Sequence, residues 1–93
     1  MSRNAARLIV EGRVQGVGYR WWAVETARRL GVEGWVRNCA DGSVEILAIG
    51  NPPDIERLAA ACCEGPSGAS VRLLRVAASD DDGSLGFEQR AAA

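Results

Sequence analysis

The residues best equipped for chemistry lie in one stretch, Glu11-Gly12-Arg13-Val14-Gln15-Gly16-Val17-Gly18-Tyr19-Arg20, where an apolar strand runs into a glycine-rich turn and out into a helix. Glycines at 12, 16 and 18 let several backbone N–H groups point inward at once, because glycine takes the left-handed conformations that such a turn requires. Arg20 adds a planar, permanently charged fork at the mouth of the helix. Together these groups suit capture of a phosphate or a carboxylate. A glycine-rich connection is by itself more often only a tight turn, so a second point in the chain has to support a site.

Composition removes several alternatives. All 11 basic residues are arginine, and histidine is absent. The chain therefore has no P-loop lysine, no Schiff-base amine, no imidazole base and no His-ligated zinc. Cys39, Cys62 and Cys63 form neither a disulfide framework nor a tetrahedral metal spacing, so they read as reduced thiols. A net charge of −1 lacks the basic footprint of a nucleic-acid binder. The apolar runs are too short to span a membrane and the N-terminus lacks the pattern of a secretion signal, so no membrane partner and a cytoplasmic location are expected. The 93 residues are expected to form a single domain, 1–93, with an ordered core over 6–90.

The elements that must position the loop follow from periodicity. Ala6 to Val14 reads as a strand, with Leu8, Val10 and Val14 on the core phase. Tyr19 to Leu30 reads as a helix with a stripe of Tyr19, Ala23, Ala27 and Leu30, edged by Val24 and stopped by Gly31. Val32 to Asn38 and Ser43 to Gly50 alternate as antiparallel strands joined by a hairpin ending in Asp41-Gly42. Asn51-Pro52-Pro53 starts a second helix, with Asn51 as candidate cap, and its face is Ile55, Leu58, Ala59 and Cys62 until Gly65-Pro66. Ser70 to Ser79 is a fourth strand with Leu74, Val76 and Ala78 in phase, and Val71 out of phase in a way that points to a bulge. Asp80 to Asp82 reads as a solvated loop, Gly86 to Arg90 as a short fifth edge strand, and Ala91 to Ala93 as a frayed tail. The order is that of an α+β, ferredoxin-like βαββαβ sandwich, an antiparallel sheet with two helices on one face.

At this point two stretches carry a resemblance. Gly12-Arg13-Val14-Gln15-Gly16-Val17-Gly18-Tyr19-Arg20 resembles the signature of the acylphosphatase family, and Gly34-Trp35-Val36-Arg37-Asn38 resembles its second signature, in order and at a fitting separation. The likeness continues through Asp41-Gly42-Ser43-Val44-Glu45, Glu64-Gly65-Pro66 and Gly86-Phe87-Glu88. It implies a ferredoxin-like sandwich that hydrolyses small-molecule acyl phosphates to a carboxylate and inorganic phosphate, with no metal and no cofactor; a monomer is expected. It also implies that Arg20 binds the phosphoryl group, that Asn38 orients the attacking water, and that the backbone of Gln15, Gly16, Val17, Gly18, Tyr19 and Arg20 forms the cradle.

The physical chemistry agrees with those roles. Phosphoryl transfer through a loose transition state asks mainly for positioning and for stabilisation of charge on the equatorial oxygens. Arg20 offers two parallel charge-assisted bonds, and the Asn38 amide can accept from a water while donating to a phosphoryl oxygen. Trp21 lies nearly opposite the buried stripe and Trp22 at its margin; packing against the turn, or a wall for the acyl group, are the two readings. A non-catalytic anion-binding module of the same fold stays open as the alternative. An RNA-binding domain is weaker, since Trp35 is the one exposed aromatic expected on the middle strands.

Overall fold

The computed structural model describes residues 3–93. Its elements, in chain order, are β1 (Asn4–Arg13), α1 (Tyr19–Leu30), β2 (Glu33–Asn38), β3 (Val44–Gly50), α2 (Pro52–Glu64), β4 (Ser70–Ala78) and β5 (Phe87–Gln89). The sheet order is β4-β1-β3-β2-β5. The first four strands pair antiparallel, and the short β5 joins the edge of β2 in parallel. This is the expected ferredoxin-like sandwich with its fifth strand present.

One apolar layer joins the sheet to the helices. Leu8 and Val10 from β1, Val36 from β2, and Val44, Ile46 and Ala48 from β3 are fully buried against Ala23 and Ala27 of α1 and Leu58 and Cys62 of α2. The alternation predicts this, because residues two apart on a strand share a face. Helix α1 closes on Gly31, whose N–H bonds back to Arg28 O at 3.2 Å. At the start of α2, Asn51 stands at the cap position but makes no side-chain cap bond; its backbone carbonyl accepts from Asp54 and Ile55 instead.

The bulge appears in β4. Glu11 faces Leu73 while Gly12 faces Val71, so Arg72 is the extra residue and Val71 returns to the core phase with Leu74. Val76 departs from expectation: it is in phase with Leu8, yet 57% exposed, because it stands on the edge strand beyond the helical cover.

The opposite face of the sheet holds a second cluster of Trp35, Leu47 and Ile49. Asp80 to Asp82 are exposed as expected, but this loop does more than meet solvent. It crosses from β4 to β5 and straps that face, Asp82 accepting from the Trp35 indole at 3.0 Å and Asp81 from Arg3 at 2.8 Å. Arg37 and Arg90 lie over the Trp35 ring at 4.9 and 5.0 Å. The buried Glu45 carboxylate is held by Arg7 and Arg37. The tail is also tied rather than frayed: Arg90 N–H donates to Val36 O at 2.8 Å and Ala93 N–H to Asn38 O at 3.0 Å, continuing the ladder along β2.

Candidate active site

The glycine turn leaves β1 after Arg13 and enters α1 through Gly18, which sits in the left-handed region at φ 79°, as does Gly16 at φ 72°. A side chain at either position would meet no atom of the described residues within 4 Å, so glycine is needed there for backbone conformation, and open space remains above the turn. The first backbone bond of the region runs from Trp22 N–H to Gly18 O. Among the described residues, the N–H groups from Gln15 to Trp21 donate to no backbone carbonyl. Helix α1 carries no acidic residue in its first turn, so its positive end is left uncompensated.

These groups border a cleft of about 140 Å³ lined by Val14, Gln15, Gly16, Gly18, Tyr19, Arg20, Trp21, Asn38 and Gln89. Hollows elsewhere on the surface are larger, including one of about 310 Å³ beside Glu11 and Asp41. Chemistry rather than size distinguishes the cleft. Arg20 is its one charged lining residue, and its guanidinium takes part in none of the ion pairs among the described residues. Most of the other arginines are paired.

Asn38 ends β2 at the same cleft. Its Oδ1 is buried and has no hydrogen-bond partner among the described residues. An unsatisfied buried acceptor of this kind costs about 1–3 kcal/mol, so the position calls for a donor. The following hairpin is set by Asp41, whose carboxylate accepts from the Ser43 hydroxyl at 2.6 Å and its N–H at 2.9 Å. Those two bonds, the side-chain one first, hold the Asp41 carboxyl below its usual range.

Gln15 joins the two halves. Its side-chain amide donates to Cys39 O and Ser43 O, both at 2.9 Å, so it turns to the hairpin and leaves its backbone to the cleft. Tyr19 is likewise buried as a side chain, its hydroxyl donating to Cys62 O at 2.7 Å. Burial first, and then Cys62, push that phenol's pKa upward, so it stays a protonated donor. Trp22 packs on Tyr19 with ring centroids 5.3 Å apart, while Trp21 is 64% exposed.

Of the residues singled out in the sequence, Gln15, Gly16, Gly18, Tyr19, Arg20 and Asn38 border the one cleft. Val17 does not; its side chain packs on the hydrophobic core and beside Gly68, as an apolar branched group in a turn will when a core is within reach. Gln89 is the member that motif reading missed. Its one signal is alternation, since it follows the buried Phe87 by two residues on β5 and so shares that face.

The acylphosphatase family model matches residues 6–89. The acylphosphatase of Acidiphilium cryptum is 47% identical over 94% of this chain and 96% of its own, and that of Thermococcus kodakarensis 44% identical over 95% and 97%. The crystal structure of the acylphosphatase from Bacillus subtilis superposes with a TM-score of 0.90 at 35% identity, covering 94% of this chain and 98% of that one. With residues from both signature stretches lining one cleft and the likeness running the length of the domain, the chain belongs to the acylphosphatase family, the hydrolases of acyl phosphates.

Proposed function

We propose that the cleft hydrolyses the acyl phosphate by holding its phosphoryl group between Arg20 and the backbone N–H groups of Gln15 to Arg20, while Asn38 orients the attacking water. The water oxygen bonds to phosphorus as the phosphorus–oxygen bond to the acyl group breaks. The carboxylate leaves with that electron pair, and the water's proton ends on the phosphate. An acyl phosphate has a good leaving group, so no strong general acid is required, and an asparagine amide is not asked to act as a base. Charge that builds on the equatorial oxygens meets donors that need no reorganisation.

The observation that carries this reading is that the Asn38 side chain, its Oδ1 buried and unpartnered among the described residues, lines the same cleft as the Arg20 guanidinium, which takes part in none of the ion pairs among those residues. A water held by the Asn38 side-chain amide would have a lone pair free to face a phosphorus held at Arg20. The reading also has the chain act alone on a small molecule in the cytoplasm, and the net charge of −1 supports the absence of a nucleic-acid partner.

Phosphate release from benzoyl phosphate, measured in excess chelator, tests it. The wild-type chain should turn over, and Arg20→Ala and Asn38→Ala should each lose about 100- to 1,000-fold, the scale of a lost transition-state donor. Full turnover by Asn38→Ala would remove the water-orienting role. Phosphate binding without turnover by the wild type would favour a non-catalytic module.

A further inference from the structure

We infer that Trp21 is a specificity-determining residue that selects aromatic acyl phosphates by stacking on the acyl group. This rests on the placement of the phosphoryl group at Arg20 proposed above. Trp21 exposes 64% of its surface, which leaves the indole open to a ligand. It lines the 140 Å³ cleft, and it also lines a groove of about 550 Å³ that runs along the outer side of α1 past Trp22 and Thr26. Among the described residues no other borders both hollows. Anything leaving the cleft toward α1 therefore passes over the Trp21 indole.

The groove floor is held by packing and hydrogen bonds. Trp22 is tilted at 57° against Tyr19, and Tyr19 is pinned through its hydroxyl to Cys62 O. Thr26 is buried and donates to Trp22 O at 2.8 Å. With the phosphoryl group at Arg20, the acyl carbon sits at the cleft mouth and its substituent lies over Trp21. A methyl group is too short to cover the indole, whereas a phenyl ring can lie flat or edge-on against it. A ring stacked in this way is favoured at both ends of the reaction, so its effect falls on kcat/KM for aromatic substrates and leaves small ones alone.

The experiment compares kcat/KM for benzoyl phosphate and acetyl phosphate in the wild type, Trp21→Ala and Trp21→Phe, with inhibition by inorganic phosphate measured alongside. In Trp21→Ala the benzoyl-to-acetyl ratio should fall about tenfold, equivalent to about 1.4 kcal/mol. Trp21→Phe should restore most of the ratio, and the inhibition constant for inorganic phosphate should not move in either variant. An unchanged ratio in Trp21→Ala, or an equal loss on both substrates, overturns the inference. Arg20→Ala separates it from the reading beneath it: that variant should lose both substrates and phosphate inhibition together, and if it does not, the phosphoryl placement fails whatever the Trp21 ratio does.

Discussion

Replacing Gln15 with leucine cuts the tie between cradle and hairpin while keeping a side chain of similar bulk. The amide's two bonds, to Cys39 O and Ser43 O, are both 2.9 Å long. Neither carbonyl is orphaned by the change, since Cys39 O keeps the Gly42 N–H at 3.1 Å and Ser43 O keeps the Cys39 N–H at 2.9 Å. The loss is then that of two neutral bonds near 1 kcal/mol each, about 2 kcal/mol in all. For a domain of this size that lowers Tm by about 8–16 °C. The rate should suffer as well, because the hairpin that carries Asn38 is no longer fixed against Arg20. A misplacement of about 1 Å can cost about 100-fold, so we expect kcat to fall about 10- to 100-fold. KM should change less than about threefold, since Arg20 and the turn keep their places. Circular dichroism melts give the first quantity, and initial rates of phosphate release at 25 °C, where the variant is still folded, give the second. Unchanged Tm with unchanged kcat would refute the reasoning, and a raised KM with intact kcat would mean that the Gln15 side chain serves the substrate directly.

Three further outcomes follow from the same structure. A methyl group at Gly34 would lie 1.9 Å from Leu47 O, at a backbone φ of 128°, so Gly34→Ala should destabilise by more than about 3 kcal/mol, read as a fall in the urea midpoint; a change below about 1 kcal/mol contradicts the clash. Asp41, Asp81 and Asp82 have lowered pKa values, through Ser43, Arg3 and Ser84 respectively as the leading partners. Burial works the other way at Glu45, but its bonds to Arg7 and Arg37 outweigh it and leave that carboxyl lowered too. Because folding depresses these values, the stability they contribute is complete above the unfolded carboxylate range near pH 4 and is lost as pH falls through the folded values. Urea midpoints should therefore hold from pH 7 to about 5 and drop steeply below about 4, with a shallower fall in Asp82→Asn. Burial pushes the Cys62 thiol up to about 12, so a thiol reagent at neutral pH should modify the exposed Cys63 in the native chain and reach Cys62 only in denaturant. Fast native labelling at Cys62 would show that α2 opens locally.

Local patterning carried most of the fold. The alternation in β1 and β3, the stripe from Tyr19 to Leu30, and the Pro52 and Gly65 boundaries each reflect short-range sterics and one-sided burial, and all reappear as elements. Where reading along the chain fell short, the missing information was lateral. Val76 has the phase of a core residue, but its exposure depends on how far the helices extend across the sheet. The aspartates after β4 have the composition of a solvated loop, and only the position of Trp35 and Arg3 beneath them makes that loop a strap. Ala91 to Ala93 has only methyl side chains to hold it, yet the open edge of β2 supplies a backbone partner.

The anion-binding turn was legible in its own residues, because glycine spacing and a following arginine are local facts about backbone freedom and charge. So were the two signature stretches that name the family. Their meeting was legible only through the element order and the resemblance, not in either stretch alone. Arg20 and Asn38 share a cleft because β1 and β2 flank β3, a neighbour relation that no local pattern encodes. Gln15 binds a hairpin more than twenty residues away, Gln89 arrives from β5, and the Asn38 oxygen is buried without a partner among the described residues. Residue types specify which groups are available for catalysis; long-range strand order and burial decide which of them face one another, and at what distance.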